Sequence, residues 1–226
     1  MAINIQTTGE QTVGLLRRTE LRKFLTEAHL EELGRHCRAS RRKARSVVHR
    51  ENDPADALYW VVEGAAELRA RPPGRRAYRT VEVVGRGCIF GEESVFGEGS
   101  YLFGSRVLEP VRLLVLPGWR FQRLTESHPE IAIGILACAG SCLVETVRRA
   151  AILTQAPADV GLRLLLKDLA QDSGAAPGRP VRLRLTHAQL AGVLHLSRET
   201  VSRMLGKLAD QGKIELGRGV VRVKAL

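Results

Sequence analysis

The stretch THAQLAGVLHLSRETVSRMLGKLADQG, Thr186 to Gly212, decides the fold. It reads as two helices joined by a tight turn, an arrangement that lays its second helix in the major groove of DNA. Thr186 is a natural N-cap, and Gln189 three residues on completes a capping box. Ala188, Leu190, Ala191 and Leu194 supply apolar contacts for the first helix. Ser197 caps the second helix and Gly212 ends it.

At about 100° per residue the second helix divides into two faces. Val201, Met204, Leu205 and Leu208 fall on one side and can pack on the first helix. Arg198, Glu199, Ser202, Arg203, Gly206 and Lys207 lie on the other. An arginine can bond O6 and N7 of guanine with two parallel hydrogen bonds, and a glutamate can accept from N4 of cytosine. The Ser197 and Thr200 hydroxyls suit phosphate oxygens, and Thr186, His187 and Ser202 are expected among the DNA-binding residues. The competing reading is an ordinary surface ion pair between Glu199 and Arg203, four residues apart.

Composition fits this reading without requiring it. The 226 residues suffice for one large domain or two modest ones, and the net charge of +11 suits a polyanionic partner. The excess is nearly all arginine, which base composition of a genome can also produce. Cys37, Cys88, Cys138 and Cys142 show no CxxC spacing, so a reduced, cytoplasmic setting is expected. The longest apolar run, Ile131 to Val144, falls short of the roughly 20 residues that span a bilayer, and no membrane role is expected. With no nucleophile–base pair, Walker loop or metal motif, the chain does not read as an enzyme.

From the start, residues 1 to about 14 read as a loose arm. Helical spacing covers Leu15 to Cys37, followed by a basic segment, Arg38 to Arg45, expected as a solvated loop. Short strands are expected at Ser46–Arg50, Leu58–Glu63, Ala65–Ala70, Tyr78–Val84, Ser105–Leu108 and Arg112–Leu116, punctuated by glycine and proline turns. Pro129 opens a long helix to about Leu153. Ala132, Leu136, Ala139, Leu143, Thr146, Ala150 and Leu153 form a heptad seam suited to a partner helix. Ile131, Ile135, Cys138 and Cys142 form a second face for the subunit's own sheet. After a hinge at Gln155–Pro157 come a helix over Val160–Ala170, a strand VRLRL, the two helices, and a hairpin over Lys213–Lys224. Arg218 at the hairpin tip could meet a phosphate.

SRETVSRML, preceded by LTHAQLAGVL and followed by a short hairpin, closely resembles the helix-turn-helix of the CRP/FNR regulators. One departure is His195, where the family often has glycine in the turn; histidine can occupy the left-handed region at modest cost. The resemblance extends over nearly the whole chain. It implies an α+β fold: an N-terminal antiparallel β-roll like a cyclic-nucleotide-binding domain (residues 1–128), a long dimerisation helix and hinge (residues 129–155), and a C-terminal winged helix-turn-helix (residues 156–226). In the family's cyclic-nucleotide sensors a Gly-Glu pair and an Arg-Ser segment cradle the ligand. Gly91 and Glu92 stand in the matching context, and Thr146 sits where the long helix meets the base, with Val147 in place of a neighbouring hydroxyl. Tyr101 and Leu102 replace the Arg-Ser. Arg106, four residues further, is displaced by about 13 Å along a strand. An FNR-type iron–sulfur cluster needs clustered N-terminal cysteines, and Cys37 alone lies there.

The expectation is therefore a homodimeric activator that binds a palindromic TGTGA-like site on double-stranded DNA, contacts RNA polymerase, and needs no cofactor. A cyclic-AMP-responsive regulator of the same fold is the alternative. A ligand-binding or protein-interaction module without specific DNA readout is another.

Overall fold

The computed structural model describes residues 3–5, 9–93, 99–173 and 179–224. It falls into two compact units. The first comprises Met1–Leu68 and Val84–Glu145, the second Arg69–Val83 and Thr146–Leu226.

In the first unit the segment expected as a loose arm contains a short strand, β1 (Ile3–Ile5), and a helix, α1 (Gly9–Leu16). The single helix expected from Leu15 to Cys37 is broken. Thr19 Oγ1 donates to Leu16 O (2.7 Å), a 3-10 turn covers Glu20–Lys23, and Thr26 caps a new helix, α2 (Glu27–His36). Threonines that bond to nearby backbone compete with helix continuation. The basic segment expected as a solvated loop is in part a strand, β2 (Arg38–Arg42), paired with β1. Ala39 and Ser40 are buried within it, while Arg38 and Arg41 stand in solvent.

The remaining strands of the N-terminal half are β3 (Val47–His49), β4 (Ala57–Glu63), β5 (Ala66–Ala70), β6 (Arg79–Val84), β7 (Ile89–Phe90), β8 (Gly104–Val107) and β9 (Val111–Pro117). Among the described residues they form a five-stranded sheet, β1-β2-β9-β4-β7, and a four-stranded one, β3-β8-β5-β6. Alternation along β4 shows how they are held. Leu58, Trp60 and Val62 enter a core with the helices, whereas Tyr59 and Val61 enter a second core with Val107 and Val84. Buried on both faces, β4 reads as a nearly continuous apolar run. Strand β9 divides the same way, Leu114 and Leu116 against Leu113 and Val115.

A helix absent from the expectation, α3 (Gly118–Ser127), buries Phe121 and Leu124. The long helix α4 (Pro129–Gln155) follows. Its Ile131, Ile135 and Cys138 are fully buried in the subunit core, as the second-face reading requires, but so is Ala132, with Ala139 packed against it. Those two alanines belong to the subunit's own core rather than to a partner seam. The exposed apolar side chains are Ile133, Leu136, Leu143, Val144, Val147 and Ile152. With 27 residues and a mean hydropathy of 1.7 over its most apolar stretch, α4 meets the length and composition of a bilayer-crossing helix. That corrects the length reading made from the apolar run alone, while Ile131, Ala132, Ile135 and Cys138 pack in the first unit's core.

The second unit contains α5 (Ala158–Asp172), β10 (Val181–Leu183), α6 (His187–Val193), α7 (Arg198–Asp210), β11 (Ile214–Gly217) and β12 (Val220–Val223). The sheet order is β10-β12-β11. Leu162, Leu165 and Leu166 of α5 are buried, as are Leu190, Val201 and Leu205 of α6 and α7. The loop expected at Asp172–Pro180 lies partly outside the described residues.

Candidate functional site

Helix α7 is set by local chemistry at both ends. Ser197 Oγ accepts from Thr200 N (3.1 Å) and lies 2.9 Å from Thr200 Oγ1. At the far end Gly212 adopts φ +71°, a left-handed conformation that glycine takes without steric cost. In helix α6 the capping box forms: Gln189 N donates to Thr186 Oγ1 (3.3 Å) and Thr186 N to Gln189 Oε1 (2.8 Å). Between the helices His195 holds φ +54°, as the turn requires.

The inner face of α7 is Val201 and Leu205, both 0% exposed, with Leu208 nearly so. Met204 is only half-buried, and Ala188 of α6 is exposed instead of packed. Arg198, Glu199, Arg203 and Lys207 project into solvent. Among the described residues the surface pair between Glu199 and Arg203 does not form, and neither Arg198 nor Arg218 makes an ion pair. A guanidinium near a helix start with no intramolecular carboxylate is open to a base edge or a phosphate. His187 and Ser202 behave differently: His187 Nδ1 lies 2.7 Å from Ser202 Oγ, so the two bridge α6 and α7. On the hairpin, Arg222 and Lys224 both pair with Glu215, at 3.2 and 2.6 Å, whereas Arg218 at the tip is exposed. The sequence reading passed over Arg182 and Arg184. Alternation in VRLRL buries Leu183 and Leu185 and turns both arginines to solvent, and that period of two was the available signal.

In the first unit Gly91 takes φ +82° and packs tightly. A Cβ there would lie 2.8 Å from Ala57 O and 3.3 Å from a Tyr101 ring carbon. Tyr101 is 1% exposed. Its hydroxyl accepts from Ala57 N (3.0 Å) and sits 2.9 Å from Ala57 O and 3.0 Å from Asp56 Oδ1. Burial pushes the phenol well above its ordinary range, so the ring stays neutral. It stacks on His49 at 3.7 Å between ring centroids, beside Tyr59 and Phe90. Burial pushes the His49 imidazole down to about 4 against the pull of Asp53 and Asp56. Glu92 is half-buried, and Leu102 is exposed with its N–H donated to Glu93 Oε1 (3.1 Å).

Arg106, the nearest candidate to replace the missing arginine, is committed elsewhere. Its guanidinium meets the Glu67 carboxylate at 2.6 and 2.7 Å, and Glu67 is 1% exposed. Breaking a buried ion pair by removing one member is destabilising, so Arg106 is held in that pair. Tyr101 and Leu102, expected in place of the family's Arg-Ser, are thus a buried neutral phenol and an exposed apolar side chain. In the second unit Thr146 Oγ1 donates to Glu82 Oε1 (3.2 Å); burial raises the Glu82 carboxyl and this bond opposes the rise. Cys138 is buried and Cys142 half-buried on the α4 face turned to the core, and both are free thiols.

The second unit is that of a winged helix-turn-helix DNA-binding regulator, joined in one chain to an antiparallel sensor-type roll. Residues 40–128 match the cyclic nucleotide-binding domain family, and residues 162–226 match the Crp-like helix-turn-helix domain. The chain is 30% identical over 174 residues to the CRP-like cAMP-activated global transcriptional regulator of Mycobacterium tuberculosis, covering 75% of this chain and 76% of that one. It is equally similar, 30% over 183 residues, to the global nitrogen regulator of Synechocystis, covering 76% and 77%. A solved CRP/FNR-family regulator of Thermus thermophilus superposes with a TM-score of 0.66 at 28% identity, over 82% of this chain and 92% of that one. The chain belongs to the CRP/FNR family of transcription regulators.

Proposed function

We propose that this regulator acts as a homodimeric activator that reads a palindromic, TGTGA-like DNA site and works without cyclic AMP. The observation that carries the reading is the outer face of α7, where Arg198, Glu199 and Arg203 stand exposed and unpaired opposite the buried Val201, Leu205 and Leu208. Each recognition helix enters one major groove, and a two-fold pair of subunits sets the half-sites about one turn, roughly 34 Å, apart. Arg198 and Arg203 read guanine, Glu199 accepts from cytosine, and Thr186, Ser197, Thr200 and Arg218 hold phosphates. Ser202 and His187 take part as a bonded pair, fixing the angle between α6 and α7. The exposed apolar side chains of α4 support the dimer. The protein works in the cytoplasm, beside RNA polymerase.

Independence from cyclic AMP is supported by Tyr101 and Leu102 in the phosphate position, by the engagement of Arg106 with Glu67, and by the aromatic stack around His49. The match to the cyclic nucleotide-binding domain favours a second reading, a cyclic-AMP-responsive regulator using Gly91, Glu92 and Thr146. A gel shift with a TGTGA palindrome against a scrambled duplex, with and without cyclic AMP, separates these. The proposal requires a specific complex of equal affinity in both lanes. A complex formed only with the nucleotide selects the second reading. Weak, salt-sensitive binding to both duplexes refutes specific readout altogether.

A further inference from the structure

We propose a second ligand site in the first unit: a binding cleft for a small phosphorylated molecule bearing two or more phosphoryl groups. The cleft lies where the C-terminal ends of β2 and β4 meet the start of β9, and its volume is about 360 Å³. Arg41, Arg42, Lys43 and Arg112 line it, with Glu63 as the one carboxylate and Pro110 and Val111 as an apolar wall.

Three features mark it as a site rather than a solvated face. In the sheet register Arg41 stands directly opposite Arg112, and like charges in that position repel. Glu63, opposite Arg112 on its other side, is already taken by Arg18 at 2.7 Å. Arg42 leans on neutral oxygens, Ser40 Oγ at 3.3 Å and Val47 O at 3.4 Å. The cleft therefore keeps a surplus of positive charge. The third feature is Arg112 Nε, which is shielded from solvent and makes no hydrogen bond. A buried donor without a partner costs free energy until a ligand or water satisfies it.

The chemistry of the occupant follows from these groups. Three planar guanidiniums bind phosphoryl or carboxylate oxygens in parallel pairs, and a lysine adds a point charge. Four cations around one committed carboxylate exceed what a single phosphate neutralises. The volume falls within the range of about 300–1,000 Å³ typical of small-molecule sites, larger than orthophosphate needs. Pyrophosphate and nucleoside triphosphates carry the matching chemistry. The site is separate from Gly91, Glu92 and the aromatic stack, and does not depend on the DNA reading above.

The test is titration calorimetry on the full-length protein with sodium pyrophosphate, ATP and orthophosphate, alongside thermal melts. Saturable binding of pyrophosphate or ATP, tighter than orthophosphate, is expected. Arg41→Gln, at an exposed position, should weaken it by roughly tenfold or more. It should also raise the melting temperature of the ligand-free protein, because a repulsive pair is gone. Arg112→Gln should abolish binding, and Arg86→Gln, at an exposed arginine outside the cleft, should leave it unchanged. Absence of saturable heat at millimolar pyrophosphate overturns the proposal, as does an equal loss in Arg86→Gln. If Arg41→Gln and Arg112→Gln instead weaken DNA binding while pyrophosphate never binds, the cleft is a nucleic-acid contact and the proposal fails.

Discussion

Truncating Leu143 in the middle of α4 should split the proposed dimer. In the isolated chain Leu143 is 63% exposed, and Leu136 and Val147 on the same face are 48% and 58% exposed. Fully burying a leucine side chain contributes about 1.5–3 kcal/mol. Covering the exposed share of Leu143 therefore contributes about 1–2 kcal/mol in each subunit, and two-fold symmetry doubles it. Leu143→Ala should weaken dimerisation by roughly 30- to 700-fold. Sedimentation velocity over a concentration series reads this directly. Arg148→Ala is the control, since five residues of helix place Arg148 about 140° round from Leu143. Dimerisation unchanged in Leu143→Ala, or a wild-type protein that stays monomeric at every concentration, would refute the seam.

Two further outcomes follow from the first unit. His49 titrates at about 4 in the fold and near 6.5 unfolded, so the unfolded chain binds the proton more readily. Stability is then level above about pH 7 and falls as pH drops from about 6.5 toward 4, by about 2–3 kcal/mol at pH 4.5; urea midpoints of His49→Phe should lack that part of the decline, and parallel pH curves would contradict it. Tyr101→Phe leaves Ala57 N without the hydroxyl that it bonds, and should lower unfolding stability by about 1–3 kcal/mol in urea titration, with no change in DNA affinity.

How much of this was legible in the sequence depended on how local the signal was. The helix-turn-helix was readable because its determinants lie within a few residues of one another: the Thr186–Gln189 box, the Ser197 cap, the left-handed His195, and glycine at position 212. Strand β2 was not, because Arg38 and Arg41 face solvent and its inward residues, Ala39 and Ser40, are too small to announce a core. Helix α1 escaped because Gly9 and Gly14 lower helix propensity, and its burial comes from distant elements. The heptad positions of α4 divide between two environments. Leu136 and Leu143 are exposed, but Ala132 and Ala139 turn inward, since an alanine fits either a partner helix or its own sheet. The His187–Ser202 bond joins residues 15 apart and depends on how two helices cross, which no spacing rule shows.

The most direct measurement is the affinity of wild type and Arg203→Ala for a panel of palindromes, each altered at one base pair of the half-site, read by fluorescence anisotropy at fixed salt. Direct guanine readout predicts that Arg203→Ala loses about 1–3 kcal/mol on the preferred site and stops discriminating at one position only. An equal loss across every sequence, scrambled duplex included, would make Arg203 a phosphate contact and contradict the account.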